Sequence, residues 1–216
     1  MRKKVLALIL ARKGSVRLKN KNILKLKGKP LIEWTFKLIS KKVIRKLFVN
    51  VLVSTDSKKI MKLSKKYKYL SPWIRPQYLS KNSCSSEKTA LHALNWYEKN
   101  FEMVDAIFLF QPTSPFRDAK KIILAVKTFL KRNKQIVSVC SKPTYKFTKN
   151  TINGSMYLTP INILKKNKTF SEKGFIPLKM FSDLENIDID TKNDFKIAKK
   201  YLKIFKTQLY NLFPQK

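Results

Sequence analysis

Apolar runs and amphipathic helical stretches alternate from Val5 to Cys140, and no other feature restricts the fold of this chain as tightly. The runs Val5–Leu10, Phe48–Ser54, Ala106–Phe110 and Ile136–Cys140 are too short for helices and too continuously apolar for half-exposed strands, so they read as buried strands. Between them, residues 31–40, 57–67, 86–100 and 119–131 read as helices, the second capped by Ser57. Such alternation predicts an α/β fold, a mostly parallel sheet with helices on both faces, whose ligands sit outside the carboxyl ends of the strands. Beyond Cys140 the pattern loosens. Residues 153–158 read as a turn and strand, Pro160 starts a short helix, 175–181 is strand-like, and a helix capped by Thr191 runs to about Phe205. With 216 residues and no low-complexity linker, one domain spanning 1–216 is expected.

The polar loops fall at those carboxyl ends. Val5–Leu10 leads into Arg12, Gly14, Ser15, Arg17, Lys21 and Asn22, an arrangement suited to a polyphosphate held by cations and backbone N–H groups. The spacing is neither that of a P-loop nor that of a dinucleotide-binding fold. Gln111-Pro112-Thr113-Ser114-Pro115 follows the strand Ala106–Phe110, its two prolines making a rigid loop able to hold an amide and two hydroxyls toward a ligand. Asp56 and Ser57, at another strand end, read as acceptors for local backbone donors. Five acidic residues, Asp183, Glu185, Asp188, Asp190 and Asp194, gather within twelve positions of a chain that has only thirteen. In an extended segment 186–190, Asp188 and Asp190 share one face while Ile187 and Ile189 share the other. Two hard oxygen ligands on one face suit a Mg²⁺ that also holds substrate phosphates. His92 lacks metal-ligand spacing and reads as structural, and Trp34, Trp73 and Trp96 read as core aromatics.

Net charge is +35, which raises nucleic acid as a partner. Yet only Arg2, Arg12, Arg17, Arg45, Arg75, Arg117 and Arg132 of the 48 cationic residues are arginine, and the lysines are scattered. Specific readers of bases and phosphates favour the bidentate guanidinium, so the lysines read as solvated helix faces and specific nucleic-acid binding is not expected. Two isolated cysteines, Cys84 and Cys140, fit a reduced cytoplasm, and no apolar run is long enough to span a membrane.

Ile9–Ser15, Asn20–Ile23, Gly28–Trp34, Val53–Asp56, Arg75-Pro76, Gln111–Pro115, Asn153-Gly154 with Tyr157, and Ile187–Asp190 together resemble, in collinear order over nearly the whole chain, the acylneuraminate cytidylyltransferases. The resemblance implies a Rossmann-like nucleotidyltransferase fold that uses CTP and Mg²⁺ to activate sialic-acid-like nonulosonic acids as CMP-sugars, releasing pyrophosphate. By position it implies that Arg12, Ser15, Arg17 and Lys21 hold the triphosphate and that Asn22, Arg75 and Ser86 contact the cytidine. Gln111, Asn153 and Tyr157 would line the sugar side, and Asp188 with Asp190 would bind metal, making Arg12, Lys21, Asp188 and Asp190 the catalytic set. Two departures stand out. Val16 occupies a position where family members often carry Lys, and the region 141–185 is reduced. The stretch between Cys140 and Asn153 is too short for the family's dimerisation arm, and the basic contacts to the sugar carboxylate would fall to Lys142 or Lys146. A homodimer therefore stays open. Alternatives are a nucleotidyltransferase for another acid sugar such as 3-deoxy-manno-octulosonate, a CTP binder without turnover, or a binder of anionic polymers.

Overall fold

A computed structural model describes residues 3–204. Six strands form one sheet: β1 (Val5–Leu10), β4 (Val51–Ser54), β5 (Ala106–Phe110), β6 (Ile136–Cys140), β7 (Ile152–Pro160) and β8 (Ile176–Met180), in the order β4-β1-β5-β7-β6-β8. All but β7 run parallel; β7 pairs antiparallel with both β5 and β6. The expected mostly parallel sheet is present, with one reversed strand that apolar pattern alone does not encode.

Side chains of β1 divide between the two faces, as a period of two requires. Val5, Ala7 and Ile9 face a core shared with α1 (Leu31–Ser40), α3 (Lys58–Lys66) and α5 (Ala119–Arg132). Leu6 and Leu8 face a second core with α4 (Ser86–Asn100) and α6 (Ile161–Asn167). A short helix α2 (Lys42–Arg45) joins α1 to β4. The hairpin of β2 (Lys25–Leu26) and β3 (Lys29–Pro30) closes through Lys27-Gly28, both at positive φ, the conformation a two-residue hairpin turn demands.

Helix starts follow the predicted capping chemistry. Ser57 Oγ accepts from the Ile60 N–H, and Ser85 accepts from Lys88 N. Before α7 (Lys192–Ile204), Asp194 N donates to Thr191 Oγ1 while Asp194 Oδ2 accepts from Thr191 N, a reciprocal capping box. The predicted end of this helix near Phe205 lies outside the described residues. Several boundaries differ from expectation, β7 for one covering 152–160 where 153–158 was expected. β4 begins at Val51 rather than Phe48, because Phe48 turns into the core against the edges of Phe108 and Phe110. Residues 187–190 are extended but join no sheet; Asn186 belongs to the preceding turn.

A third apolar cluster positions the site. Leu18 and Leu26 from the first loop, Ile187 and Ile189 from the acidic segment, and Ala198 and Leu202 from α7 pack around Trp34 and Phe116. One small core thus fixes the cationic loop and the carboxylates relative to each other.

Candidate active site

A cleft of about 330 Å³ opens at the carboxyl ends of β1 and β5, within the range of small-molecule sites. Arg12, Ser15, Arg17, Lys21 and Asn22 line one wall. Arg75 and Ser86 line the next, beside Lys81, Asn82 and Cys84; Gln111 and Thr113 adjoin Asp188 and Asp190 at the other end. Ten of the predicted site residues are therefore brought to one cavity from loops far apart in sequence. Asn153 and Tyr157 are not among its lining residues.

The cationic loop is held by neighbouring turns. Asp56 accepts a hydrogen bond from the Lys13 N–H, so it satisfies a backbone donor of the first loop rather than one of its own helix. Asn22, buried, donates its amide to the Arg12 carbonyl. Arg75 is buried and donates to both the hydroxyl and the carbonyl of Ser54; burial lowers its pKa to about 10, so the guanidinium remains charged at neutral pH. The cleft thus gains a cation whose position is set by the end of β4.

Beside the loop, alternation in segment 187–190 works as predicted: Ile187 and Ile189 are buried, and Asp188 and Asp190 face the cavity. The segment is pinned by Ile189 N donating to the Thr113 carbonyl at 2.8 Å. Three cations meet the carboxylates. Lys21 Nζ lies 2.7 Å from Asp190 Oδ1, Arg17 3.1 Å from Asp190 Oδ2, and Lys146 Nζ 2.8 Å from Asp188 Oδ2 and 3.3 Å from Asp190 Oδ2. Burial pushes the Asp190 carboxyl upward, but the Lys21 hydrogen bond and the surrounding cations prevail and hold it at about 2. For Asp188 burial dominates, with the charge of Asp190 adding to it, and its pKa is raised. Both carboxylates converge on one ammonium nitrogen. Two hard oxygen donors meeting at one point beside an open cleft fit a Mg²⁺ that completes its shell with water and substrate phosphates.

Asn153 is buried in a structural network. Its Oδ1 accepts from Ser138 Oγ and Ser155 N, and its Nδ2 donates to Asn186. Both acceptor sites of the amide and one of its two N–H donors are engaged away from the cleft. The neighbouring Gly154 is closer to it: at φ +73, a Cβ here would lie 3.1 Å from Gln111 Oε1 and 3.9 Å from the Tyr157 hydroxyl. Gly154 therefore lets the Gln111 amide and Tyr157 approach the same turn. Burial raises the Tyr157 hydroxyl to about 12, so it stays a neutral donor. Gly154→Ala is expected to cost about 1–2 kcal/mol through the left-handed backbone and to raise the KM of the non-nucleotide substrate as Gln111 shifts. Thermal melts and steady-state kinetics would check both; an unchanged KM would separate this turn from substrate binding.

Two residues were missed as site builders. Lys146, raised only as a stand-in contact to a sugar, meets the carboxylates instead; it is one lysine among many in a strongly basic sequence. Arg117 is 1% exposed and supports the Gln111 loop from beneath. His92 and Trp73 pack ring against ring beside Trp96.

A ligand cleft at the carboxyl edge of a largely parallel, doubly covered sheet, lined by cations and by paired carboxylates, defines a nucleotide-handling α/β protein. The cytidylyltransferase family model matches residues 6–212, and the chain belongs to that family. It is 30% identical to CMP-N,N'-diacetyllegionaminic acid synthase of Legionella pneumophila over 93% of this chain and 97% of that one. It is also 32% identical to N-acylneuraminate cytidylyltransferase of Escherichia coli, covering 92% of this chain but only 52% of that longer protein. Among solved structures, a CMP:2-keto-3-deoxy-manno-octonic acid synthetase complexed with CTP superposes with a TM-score of 0.68 at 12% identity, over 94% of this chain and all of that one. A cytidylyltransferase from Leptospira borgpetersenii gives 0.66 at 18% identity, over 99% and 98%. These two likenesses establish the Rossmann-like nucleotidyltransferase fold.

Proposed function

We propose that this protein joins CTP to a sialic-acid-like nonulosonic acid, forming a CMP-sugar and pyrophosphate. One observation carries the reading: a cationic loop and a carboxylate pair, far apart in sequence, line a single cleft and meet there in direct ion pairs of Lys21 and Arg17 with Asp190. In-line displacement at phosphorus needs positioning and charge neutralisation more than covalent chemistry, and this cleft offers both.

Arg12, Ser15, Arg17 and Lys21 hold the triphosphate. Asn22, Arg75 and Ser86 meet the cytidine, Ser86 from the first turn of α4. Gln111, with Tyr157 across the Gly154 turn, orients the acid sugar so that its anomeric hydroxyl attacks the α-phosphorus; the buried Asn153 acts here as support for β7. Asp188 and Asp190 hold a Mg²⁺, which when bound neutralises phosphate charge. The unpaired cysteines fit a cytoplasmic setting, and among the described residues no helix is long and apolar enough to cross a membrane.

The test is pyrophosphate release with CTP and Mg²⁺ across N-acetylneuraminic, legionaminic, pseudaminic and 3-deoxy-manno-octulosonic acids. Release is expected with a nonulosonic acid and should vanish on chelation. Release with the octulosonic acid alone would move the substrate to that class. Thermal stabilisation by CTP with no release from any acid would make the protein a nucleotide binder without turnover.

A further inference from the structure

The ammonium of Lys146 occupies the point on which the two carboxylates converge. It lies 2.8 Å from Asp188 Oδ2, 2.8 Å from the Asp188 carbonyl, 3.3 Å from Asp190 Oδ2 and 3.5 Å from Asp194 Oδ2. Lys21 meets Asp190 on its other oxygen, and Arg17, with its side chain 67% exposed, touches Asp190 alone. Lys146 is therefore the one cation among the described residues that bridges Asp188 and Asp190, and it does so through an oxygen of each.

Charge makes this arrangement exclusive. Asp188, Asp190 and Asp194 face Lys21, Arg17 and Lys146, three carboxylates against three cations. A divalent ion placed on the same oxygens would sit in near contact with an ammonium, a like-charge repulsion that the half-buried setting screens poorly. Resting on the reading that Asp188 and Asp190 bind metal, we infer that Lys146 is a resident counter-ion: its ammonium and a divalent cation are alternative occupants of the carboxylate pair, and metal loading releases Lys146 together with its loop.

The loop is built for such a release. Residues 141–151 join β6 to β7 without regular structure, and the neck is closed by Asn150 N to Cys140 O at 2.7 Å and Cys140 N to Thr151 O at 2.8 Å. Around the tip, Thr144 N bonds Phe147 O, and Thr144 Oγ1 accepts from Lys146 N and Phe147 N, all within the loop. The tip docks on the acidic segment through Lys146 and through Tyr145, which lies beside Asp194 and Asp188. Undocking breaks those contacts and leaves the neck intact, a local opening of low cost. In the metal-free protein Lys146 keeps two like charges converged. Once a metal takes over that task, the loop beside the Gly154 turn is free to move, so metal arrival is coupled to the sugar end of the cleft. The coupling is reciprocal: whatever factor Lys146 takes from metal affinity, metal takes from loop docking.

Mn²⁺ binding, followed by the paramagnetic resonance signal of the free ion without nucleotide, tests this on wild type, Lys146→Gln, Lys142→Gln and Asp190→Asn. Lys146→Gln should bind Mn²⁺ about 10-fold more tightly, the scale of a partly buried ion pair worth about one decade. Lys142→Gln, which removes the same charge from a lysine that among the described residues pairs with Asp183, should change affinity by less than about 2-fold. Unchanged or weaker binding by Lys146→Gln, or an equal gain from Lys142→Gln, would overturn the inference. Asp190→Asn separates the two levels: if it leaves Mn²⁺ binding intact, the metal reading itself fails, whereas weakening there with no gain from Lys146→Gln overturns only the counter-ion. Hydrogen exchange of the wild-type protein needs no variant. Residues 142–149 should exchange faster on adding Mg²⁺, and unaltered or slower exchange would also overturn the proposal.

Discussion

Asp190→Ala is expected to lower turnover by about 10²–10³-fold, the loss that follows removal of one preorganised electrostatic contact. Although burial opposes charge, the hydrogen bond from Lys21 and the charges of Lys146 and Arg17 hold the carboxyl at about 2, so it is fully anionic wherever the enzyme works. Loss of that anion removes one of two convergent oxygen donors and also frees Lys21 and Arg17, which it neutralises at 2.7 and 3.1 Å. The two effects act on different kinetic parameters. On the proposed metal role the lost ligand lowers kcat, while on the proposed phosphate role two unneutralised cations keep the KM for CTP level or bring it down. A simple structural lesion would instead weaken CTP binding along with turnover. Steady-state pyrophosphate release at varied CTP and Mg²⁺ distinguishes these; near-normal kcat would remove Asp190 from the metal site. The same shift has a stability consequence. In metal-free protein the Asp190 contribution is present above the ordinary carboxylate value of 3.8 and is lost as pH falls toward about 2, so the variant should show a flatter acid limb.

Strand positions were legible because buried parallel strands are continuous apolar runs, and β5 and β6 begin and end where those runs do. The direction of β7 was not, since alternation has no sign and reversal depends on how the short loop 141–151 returns the chain. Within the site, Asp188 and Asp190 were readable because intervening isoleucines set their face. An amide next to a glycine looks the same in sequence whether it faces a ligand or, as Asn153 does here, bonds Ser138, Ser155 and Asn186. Lys146 was hidden by composition, since one functional lysine carries no signal among dozens on solvated faces. Arginine scarcity, by contrast, held information that charge counting missed. Where lysine supplies the surface charge, arginine marks places that need a rigid planar fork: Arg12, Arg17 and Arg75 line the cleft, Arg45 donates to the Phe48 carbonyl, and Arg117 lies beneath the site.

That last arginine carries the largest stability effect expected in this fold: Arg117→Ala should cost about 3–5 kcal/mol. Its guanidinium ties three elements together, donating to the Ser155 carbonyl on β7 at 3.0 and 2.9 Å, to the Gln111 carbonyl after β5, and to Thr35 Oγ1 on α1 at 3.1 Å. Among the described residues no carboxylate forms an ion pair with it. Burial lowers its pKa to about 9, with the charge of Asp188 opposing the shift, so the side chain is still protonated at neutral pH. Alanine would take both guanidinium donors from the buried Ser155 carbonyl, at about 1–3 kcal/mol for a buried group that loses its partner, would leave the Gln111 carbonyl to the Ser114 N–H at 3.2 Å, and would open a cavity between α1 and the sheet. Methionine, which refills volume and removes a desolvated charge without restoring donors, should recover part of the loss. Lysine should not recover all of it, because one ammonium cannot reproduce a fork aimed at three elements. Urea denaturation of the three variants measures the series, and an alanine cost below about 1 kcal/mol would mean the guanidinium stabilises nothing that water cannot replace. Because Gln111 and Ser155 flank the Gly154 turn, the methionine variant should also show a raised KM for the acid sugar with that for CTP little changed. The cation beneath the sheet then acts on one substrate by fixing the carbonyls around it, without touching either one.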